Sequence, residues 1–227
     1  SYIQMENSMQ KPKIEACIFD LDGTLTDYGE GITKSVQYAL EKIGKPEQNL
    51  ENLRVFVGPP LLEQFEKYAG IDEETARTAV EYYRERYAPV GIYENELYPG
   101  IREMLAGLKA KGYKLGIASS KPENFVKIVA EYFQIDSYFD EIVGSEINGG
   151  RTDKAMVIVE ALRRMGLTEH KNQVIMVGDR EHDVIGARTV GLDCIAVSYG
   201  YGSVEELENA GAFKIVNSAE EVLDFFC

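Results

Sequence analysis

The chain has 227 residues, of which 44% are apolar, and a formal net charge of −14. This length fits one large domain or one domain with an insertion, and the apolar fraction is sufficient for a buried core. The acidic excess, without a long basic run, argues against nucleic acid and against an anionic membrane surface as partners. An anionic substrate therefore needs a local positive site, because the overall field repels it.

The cysteines and the amino-terminal segment indicate a cytoplasmic protein. The sequence has no apolar run long enough to span a bilayer. Residues 1–12 lack the apolar region of a signal peptide, so we expect a mobile leader. Three widely spaced cysteines, an odd number, are typical of reduced thiols: Cys17, Cys194 and Cys227. We expect a cytoplasmic location and no catalytic cysteine.

The first predicted strand covers residues 14–19 and is followed by a helical region. From Ile32 the apolar residues recur at helical spacing, and Gly44 ends this first helix. A turn at residues 58–60 precedes a second helix that ends at Gly70. Asp72 is placed to cap a third helix, which extends to residue 87. Because no strand pattern occurs between residues 28 and 94, we expect a small all-α unit there.

Strands and helices alternate through the rest of the chain. Strands are predicted at 113–118, 141–143, 174–177, 194–197 and 214–216. Helices are predicted at 101–111, 122–133, 153–165, 183–190, 204–209 and 219–226. This alternation predicts an α/β fold, in which a Rossmann-like parallel sheet carries helices on both faces.

The all-α unit is inserted after the first strand, so we predict a catalytic core formed by residues 13–28 and 97–227 and a helical cap formed by residues 29–96. The insertion leaves the sheet at the carboxyl end of that strand, the edge where ligands bind such sheets. We therefore expect a lid over the site. The alternative is an insertion far from the chemistry.

Asp20 and Asp22 come directly after the first strand. Both carboxylates lie on one face of the extended chain, where they repel and raise each other's pKa. A carboxylate nucleophile, a second carboxyl that moves protons and a bound divalent metal would explain this pair. The alternative is a polar turn in which both acids are solvated.

Further polar residues follow later strands at the same edge. Ser119 and Ser120 precede a predicted helix, whose amino terminus favours phosphate, although serine also caps helices there. Lys154 lies in the first turn of another helix and is either functional or a solvated surface lysine. Asp179 and Asp183 offer oxygen ligands of the kind that Mg²⁺ prefers, although Asp183 is also placed to cap a helix.

The chain resembles the haloacid dehalogenase-like (HAD) hydrolase superfamily in four motifs that occur in order: Asp20-Leu21-Asp22-Gly23-Thr24, Ser119, Lys154 and Gly178-Asp179-Arg180-Glu181-His182-Asp183. The resemblance extends from about residue 13 to the carboxyl terminus. It is greatest to the helical-cap branch that contains phosphoglycolate phosphatases and 5′-nucleotidase-like phosphatases. It implies a Mg²⁺-dependent phosphatase that hydrolyses a small phosphorylated metabolite, of the phosphoglycolate or nucleoside 5′-monophosphate class, through an aspartyl phosphate.

The resemblance also implies a role for each matching residue. Asp20 would be the nucleophile, and Asp22 would protonate the leaving oxygen and then activate water. Dehalogenases and phosphonate hydrolases of the superfamily lack an acid at the position of Asp22, which therefore argues for phosphate esters. Four residues would bind the phosphate: Thr24, Ser119, Ser120 and Lys154. Ser119 and Lys154 are also assigned to catalysis, although many relatives have Lys-Pro where this chain has Lys154-Ala155.

The implied metal ligands are the Asp20 and Asp179 carboxylates and the backbone carbonyl of Asp22. Asp183 would support the site through water or through contacts with these ligands. Cysteine-poor, oxygen-rich ligation argues against zinc. We expect His182 to be solvated and do not assign it as a base.

Arg54 is the candidate for substrate choice, because it precedes a rigid turn in the cap and could grip a second anionic group such as a carboxylate. Phe56 could instead face a base or a sugar. The alternative is a solvated Arg54 and a Phe56 in the cap core. Two other functions stay open, a β-phosphoglucomutase-like phosphosugar mutase and a non-catalytic phosphate-binding module.

Overall fold

The computed structural model describes residues 13–227 and contains a parallel six-stranded sheet. Its strands are β1 Ala16–Phe19, β2 Thr26–Asp27, β3 Glu96–Leu97, β4 Lys114–Pro122, β5 Glu141–Ser145, β6 Val174–Gly178, β7 Asp193–Val197 and β8 Lys214–Val216. The order is β5-β4-β1-β6-β7-β8, and every pair in this sheet is parallel. The predicted α/β class is confirmed. The predicted leader, residues 1–12, lies outside the described residues.

Helices connect the strands. They are α1 Gly29–Lys42, α2 Leu61–Ala69, α3 Glu73–Tyr87, α4 Ile101–Ala110, α5 Glu123–Tyr132, α6 Lys154–Met165, α7 Glu181–Val190, α8 Val204–Ala210 and α9 Ala219–Phe226. Short 3₁₀ helices occur at Leu50–Phe56, Gly91–Tyr93, Asp136–Tyr138 and Lys171–Gln173. Within the described part of the chain, none of the helices is long and apolar enough to cross a membrane.

The capping residues explain where several helices begin. The carboxylate of Asp72 accepts a hydrogen bond from the backbone N–H of Thr75 at 2.8 Å, as the sequence predicts for the start of α3. Helix α7 begins two residues before the prediction, because Arg180 is its N-cap and donates its backbone N–H to Asp183. Asp183 therefore lies in the first turn of α7 and not at its start.

The central strand β1 is buried on both faces. Its side chains alternate, so Cys17 and Phe19 join one apolar cluster while Ala16 and Ile18 join the other. The first of these clusters continues into the inserted helices, where it includes Phe65 of α2. The helices of the insertion therefore share an apolar layer with one face of the sheet.

The two connections to the inserted helices lie side by side. Thr26 pairs with Leu97 and Asp27 pairs with Glu96, so β2 and β3 form a two-stranded antiparallel sheet. The helices α1 to α3 leave and return through these two strands. The division into a core and a cap at residues 29–96 stays a prediction. The 3₁₀ helix at Leu50–Phe56 was not predicted, because it lacks a 3.6-residue apolar period.

Candidate active site

The carboxyl ends of β1, β4 and β6 meet at one edge of the sheet, with β1 in the centre. Asp20 follows β1, Ser119 lies near the end of β4, and Asp179 follows β6. Asp20 is 2% exposed and Asp22 is 5% exposed, so the alternative of two solvated acids in a polar turn is wrong. Asp179 and Asp183 are fully buried beside them.

Lys154 reaches this group of acids from α6. Its Nζ donates to Asp20 Oδ1 at 2.8 Å and to the carbonyl of Ala118 at 3.0 Å, and it lies 3.1 Å from Asp183 Oδ1. The side chain is 2% exposed, which excludes a solvated surface lysine. Burial by itself lowers the pKa of Lys154, but Asp183 and Asp20 outweigh it and raise that pKa, so the ammonium stays charged.

The buried carboxyls differ in how well their charge is compensated. Burial and the nearby charge of Asp183 raise the pKa of Asp20 well above its usual range, although Lys154 opposes this shift. Burial and Asp183 also raise the pKa of Asp179 to about 7. Asp183 has a lowered pKa, because Lys154 and the backbone N–H of Arg180 outweigh its burial. The cluster therefore carries more negative charge than its own cations compensate.

A divalent cation fits this cluster. Four buried carboxyls face two buried ammonium groups, those of Lys154 and Lys121. Among residues 13–227, the buried Asp20 Oδ2 has no hydrogen-bond partner, and the buried Asp183 Oδ1 has only its ion pair with Lys154. Oxygen-rich sites of this kind suit Mg²⁺ and similar hard cations. The donor set is therefore compatible with the predicted metal.

Asp179 is held in place by neighbours from two other segments. Its Oδ1 accepts from the hydroxyl of Thr24 at 3.2 Å, and its Oδ2 accepts from the backbone N–H of Tyr201 at 2.9 Å. Thr24 is predicted to bind phosphate, but its hydroxyl donates to Asp179, which is a predicted metal ligand. Its phosphate role stays a prediction.

His182 is half-buried, with its Nε2 enclosed, and not freely solvated as expected. Its side chain is 21% exposed, and burial lowers its pKa to about 4, so the imidazole is neutral. A methyl group at Gly58 would lie 3.0 Å from its Cε1, so the cap turn packs against this ring. His182, Asp20 and Asp183 can place one ligand atom each within 4.8 Å of one another. No local pattern predicts the contact between His182 and Gly58, because the two residues are distant along the chain.

The two serines after β4 have different surroundings. Ser119 Oγ accepts from the backbone N–H of Lys121 at 3.1 Å. Ser120 Oγ is buried without a hydrogen-bond partner in the described part of the chain, and its residue lines the cavity described below. Ser120 therefore offers a free hydroxyl beside the acids, whereas Ser119 shapes the backbone.

Lys121 is a site residue that sequence reasoning missed. Its Nζ lies 3.1 Å from Asp22 Oδ1, donates to the hydroxyl of Tyr87, and lies 4.0 Å from the ring centroid of Tyr28. Burial lowers its pKa, while Asp22 partly restores it. A lysine directly after Ser119 and Ser120 was the one available signal, and only the fold brings it to the cap tyrosines.

A cavity of about 260 Å³ opens from Asp22 and Lys121 between the cap helices and residues 145–152. Phe56 lines it and also packs against Phe65, with ring centroids 5.0 Å apart. Phe56 is thus both cap core and cavity wall.

Arg54 lies elsewhere. Its guanidinium is 4.4 Å from the ring centroid of Tyr201 and its Nε is 3.7 Å from Glu51, and its side chain is 47% exposed. It does not belong to the cavity lining. Substrate contact by Arg54 or Phe56 stays a prediction.

The fold and the site together define an α/β protein with a buried carboxylate cluster, only partly compensated by two lysines, at the carboxyl edge of a parallel sheet. Comparison with known families makes this assignment specific. The model of the haloacid dehalogenase-like hydrolase family matches residues 17–197, which is most of the chain. The chain belongs to this family, and the resemblance found in its motifs is confirmed.

Several relatives are similar over most of the chain. A 5′-nucleotidase of Pseudomonas aeruginosa is 48% identical, over 84% of this chain and 85% of the relative. The tyrosine-protein kinase PtkA of Mycobacterium tuberculosis is 36% identical, over 89% and 68%. A phosphoglycolate phosphatase of Pseudomonas savastanoi is 27% identical, over 91% and 77%. The crystal structure of a predicted phosphatase from Clostridium acetobutylicum superposes with a TM-score of 0.92 at 46% identity, over 94% and 98%.

Proposed function

We propose that this protein is a Mg²⁺-dependent phosphatase that hydrolyses small phosphomonoesters, of the phosphoglycolate or nucleoside 5′-monophosphate class, through an aspartyl phosphate. The surroundings of Asp20 support this proposal most strongly. One carboxylate oxygen is held by Lys154 at 2.8 Å, and the other has no hydrogen-bond partner within residues 13–227. A buried, oriented carboxylate oxygen of this kind is suited to attack phosphorus.

In this proposal Asp20 attacks the phosphorus atom and the ester oxygen leaves with its alcohol. Asp22 donates a proton to that oxygen and later removes one from the water that hydrolyses the aspartyl phosphate. The cavity begins at Asp22, so the leaving group lies on that side of the site. Lys121 Nζ donates to Asp22 Oδ1 at 3.1 Å and so holds this carboxylate in place.

Lys154 and the metal ion would compensate the charge of the phosphoryl group. The metal would be held by Asp20, the Asp22 carbonyl and Asp179, with Asp183 behind them, and would supply electrostatic stabilisation to the phosphoryl oxygens. Thr24, Ser119 and Ser120 stay candidates for phosphate binding. The three cysteines are free, which is consistent with a cytoplasmic location as part of this proposal.

Phosphate release from a panel of phosphomonoesters tests the proposal. We expect wild type with Mg²⁺ to release phosphate, and exhaustive chelation to stop the release until Mg²⁺ is restored. Asp20→Asn removes the nucleophile and should leave neither turnover nor a trapped phosphoenzyme. Glu51→Gln, an exposed acid in the cap, is the control for loss of one carboxylate and should behave as wild type.

The same measurements separate the alternatives. A phosphosugar mutase would return its phosphoryl group to sugar and release little phosphate, and a non-catalytic module would release none. Unchanged turnover in Asp20→Asn, or full activity after exhaustive chelation, would contradict the proposed mechanism.

A further inference from the structure

The cavity follows one face of α3. Its lining takes these residues from that helix: Arg77, Val80, Glu81, Tyr83, Arg84 and Tyr87. The spacing of three and four residues places most of them on one side of the helix. Tyr87 marks the end near the acids, because its hydroxyl accepts from Lys121, which pairs with Asp22. At a rise of about 1.5 Å per residue, the lining extends roughly 15 Å from there.

This volume is larger than the smallest candidate leaving group requires. About 260 Å³ is many times the roughly 10–15 Å³ that, on the same measure, a cavity needs to hold one water molecule. Glycolate, the leaving group of phosphoglycolate, is the size of a few water molecules and would leave most of the cavity unfilled. A nucleoside is several times larger and extends far enough to contact the outer part of α3.

The wall of the cavity near the acids is aromatic. The rings of Tyr83 and Tyr87 are stacked with centroids 5.1 Å apart and an interplanar angle of 16°. Phe125 of α5 meets Tyr87 edge-on, with centroids 5.5 Å apart. Aromatic side chains bind planar rings well, although Tyr83 and Tyr87 are 4% and 1% exposed and offer only a small part of their area.

Arg84 lies beside these tyrosines with an incompletely paired guanidinium. Its Nη1 donates to the carbonyl of Ile147 at 3.2 Å, across the cavity, which fixes the plane of the group. Its Nε is buried and has no acceptor among the residues that the structure describes. The Nε–H and the adjacent Nη2–H of an arginine form a fork of two parallel donors that matches two neighbouring acceptor atoms. Because Nε is closed to solvent in this structure, the fork binds a ligand only when the side chain turns toward the cavity.

The charge of the lining disfavours a second anion as the partner of this fork. The lining contains three cations, Arg77, Arg84 and Lys121. It also contains four acids, which are Asp22, Glu63, Glu81 and Glu146. Neutral acceptors therefore suit the outer cavity better than a carboxylate or a second phosphate does.

We propose that Arg84 is a specificity-determining residue that recognises two adjacent hydrogen-bond acceptors on a neutral, planar leaving group. Atoms O6 and N7 of a 6-oxopurine nucleoside form such a pair, and arginine binds this pair through two donors. Adenine presents an amino donor at position 6, which repels the fork. The inference rests on the proposed phosphatase activity and gives it a preference for 6-oxopurine over adenine nucleoside 5′-monophosphates.

The test compares kcat/KM for four esters: guanosine, inosine and adenosine 5′-monophosphate and phosphoglycolate. We expect the two 6-oxopurine nucleotides to exceed adenosine 5′-monophosphate by about tenfold, the size of one good bidentate contact. Arg84→Met should abolish this preference and leave phosphoglycolate unchanged, because glycolate is too short to reach Arg84. Arg163→Met is the matched control, since this exposed arginine of α6 pairs with Glu160 and lies outside the cavity lining.

Binding gives a second measurement that does not depend on turnover. In Asp20→Asn, calorimetry should show guanosine 5′-monophosphate bound about tenfold more tightly than adenosine 5′-monophosphate, and Asp20→Asn/Arg84→Met should bind both alike. An Arg84→Met enzyme that keeps the preference, or loses the same factor on every ester, would overturn the inference and leave Arg84 as a cap contact to Ile147. Phosphate release that survives Asp20→Asn would instead overturn the proposed function, and the calorimetric comparison would still test Arg84.

Discussion

At the scale of single residues, two buried lysines of the site pair with different carboxylates. Lys154 holds Asp20 and Asp183, whereas Lys121 holds Asp22 at 3.1 Å. Each ammonium is therefore paired with a different carboxylate of the Asp20–Asp22 motif. This arrangement gives the two acids distinct surroundings, as the proposed nucleophile and proton donor require.

Lys121→Met should lower kcat/KM for every phosphate ester by about 10- to 100-fold. The methionine fills the space beside Tyr28 and Tyr87, but Asp22 loses a charge-assisted hydrogen bond worth roughly 1.5–3 kcal/mol. Steady-state phosphate release measures this loss. The control is Lys127→Met, at a half-exposed lysine on α5, which should match wild type. Wild-type kcat/KM in Lys121→Met would show that the contact with Asp22 has no catalytic consequence.

At the scale of elements, helix α3 lines one wall of the cavity and is capped at its amino terminus. Asp72 caps its amino terminus, and hydrogen bonds from the hydroxyl and backbone of Thr75 lower the pKa of that carboxyl. A lowered pKa means that the carboxylate stabilises the fold above its unfolded pKa of ~3.9 and loses this effect as pH falls through the folded value.

Asp72→Ala should therefore lower the urea midpoint near neutral pH, and the difference from wild type should shrink as the pH falls from about 7 to about 3. Urea unfolding followed by circular dichroism at several pH values measures this. Ser218→Ala removes the hydroxyl cap of α9, whose Oγ accepts from the backbone N–H of Glu221 at 3.1 Å, and provides the uncharged control. A difference for Asp72→Ala that is equally large at every pH would argue against a role for its charge.

At the scale of the whole molecule, the inserted helices and the sheet share one apolar cluster. This cluster extends from Cys17 and Phe19 of β1 through Tyr28 to Phe65 of α2. Apolar residues of the insertion that join this cluster are stabilised by the same buried group as the core. We therefore expect the two parts to unfold together.

Phe65→Ala should lower the free energy of unfolding by roughly 3–5 kcal/mol, as for other fully buried phenylalanines. Because the cluster is continuous, hydrogen exchange should accelerate in peptides of β1 as well as in peptides of α2. Hydrogen-exchange mass spectrometry measures both regions in one experiment. Val55→Ala, at a half-exposed position in the same unit, should change neither. Acceleration confined to α1 to α3 would identify the insertion as an independent folding unit.

Sequence patterns alone predict the α/β class, the helical insertion and the acids that follow β1 and β6. These features depend on local patterns, because apolar periods, capping residues and paired carboxylates are visible within a few positions. Which side chains come into contact depends on the tertiary fold. Lys154 contacts Asp20 across 134 positions, and Lys121 contacts Asp22 across 99. The contact between His182 and Gly58 likewise depends on packing between distant segments, which no local pattern encodes.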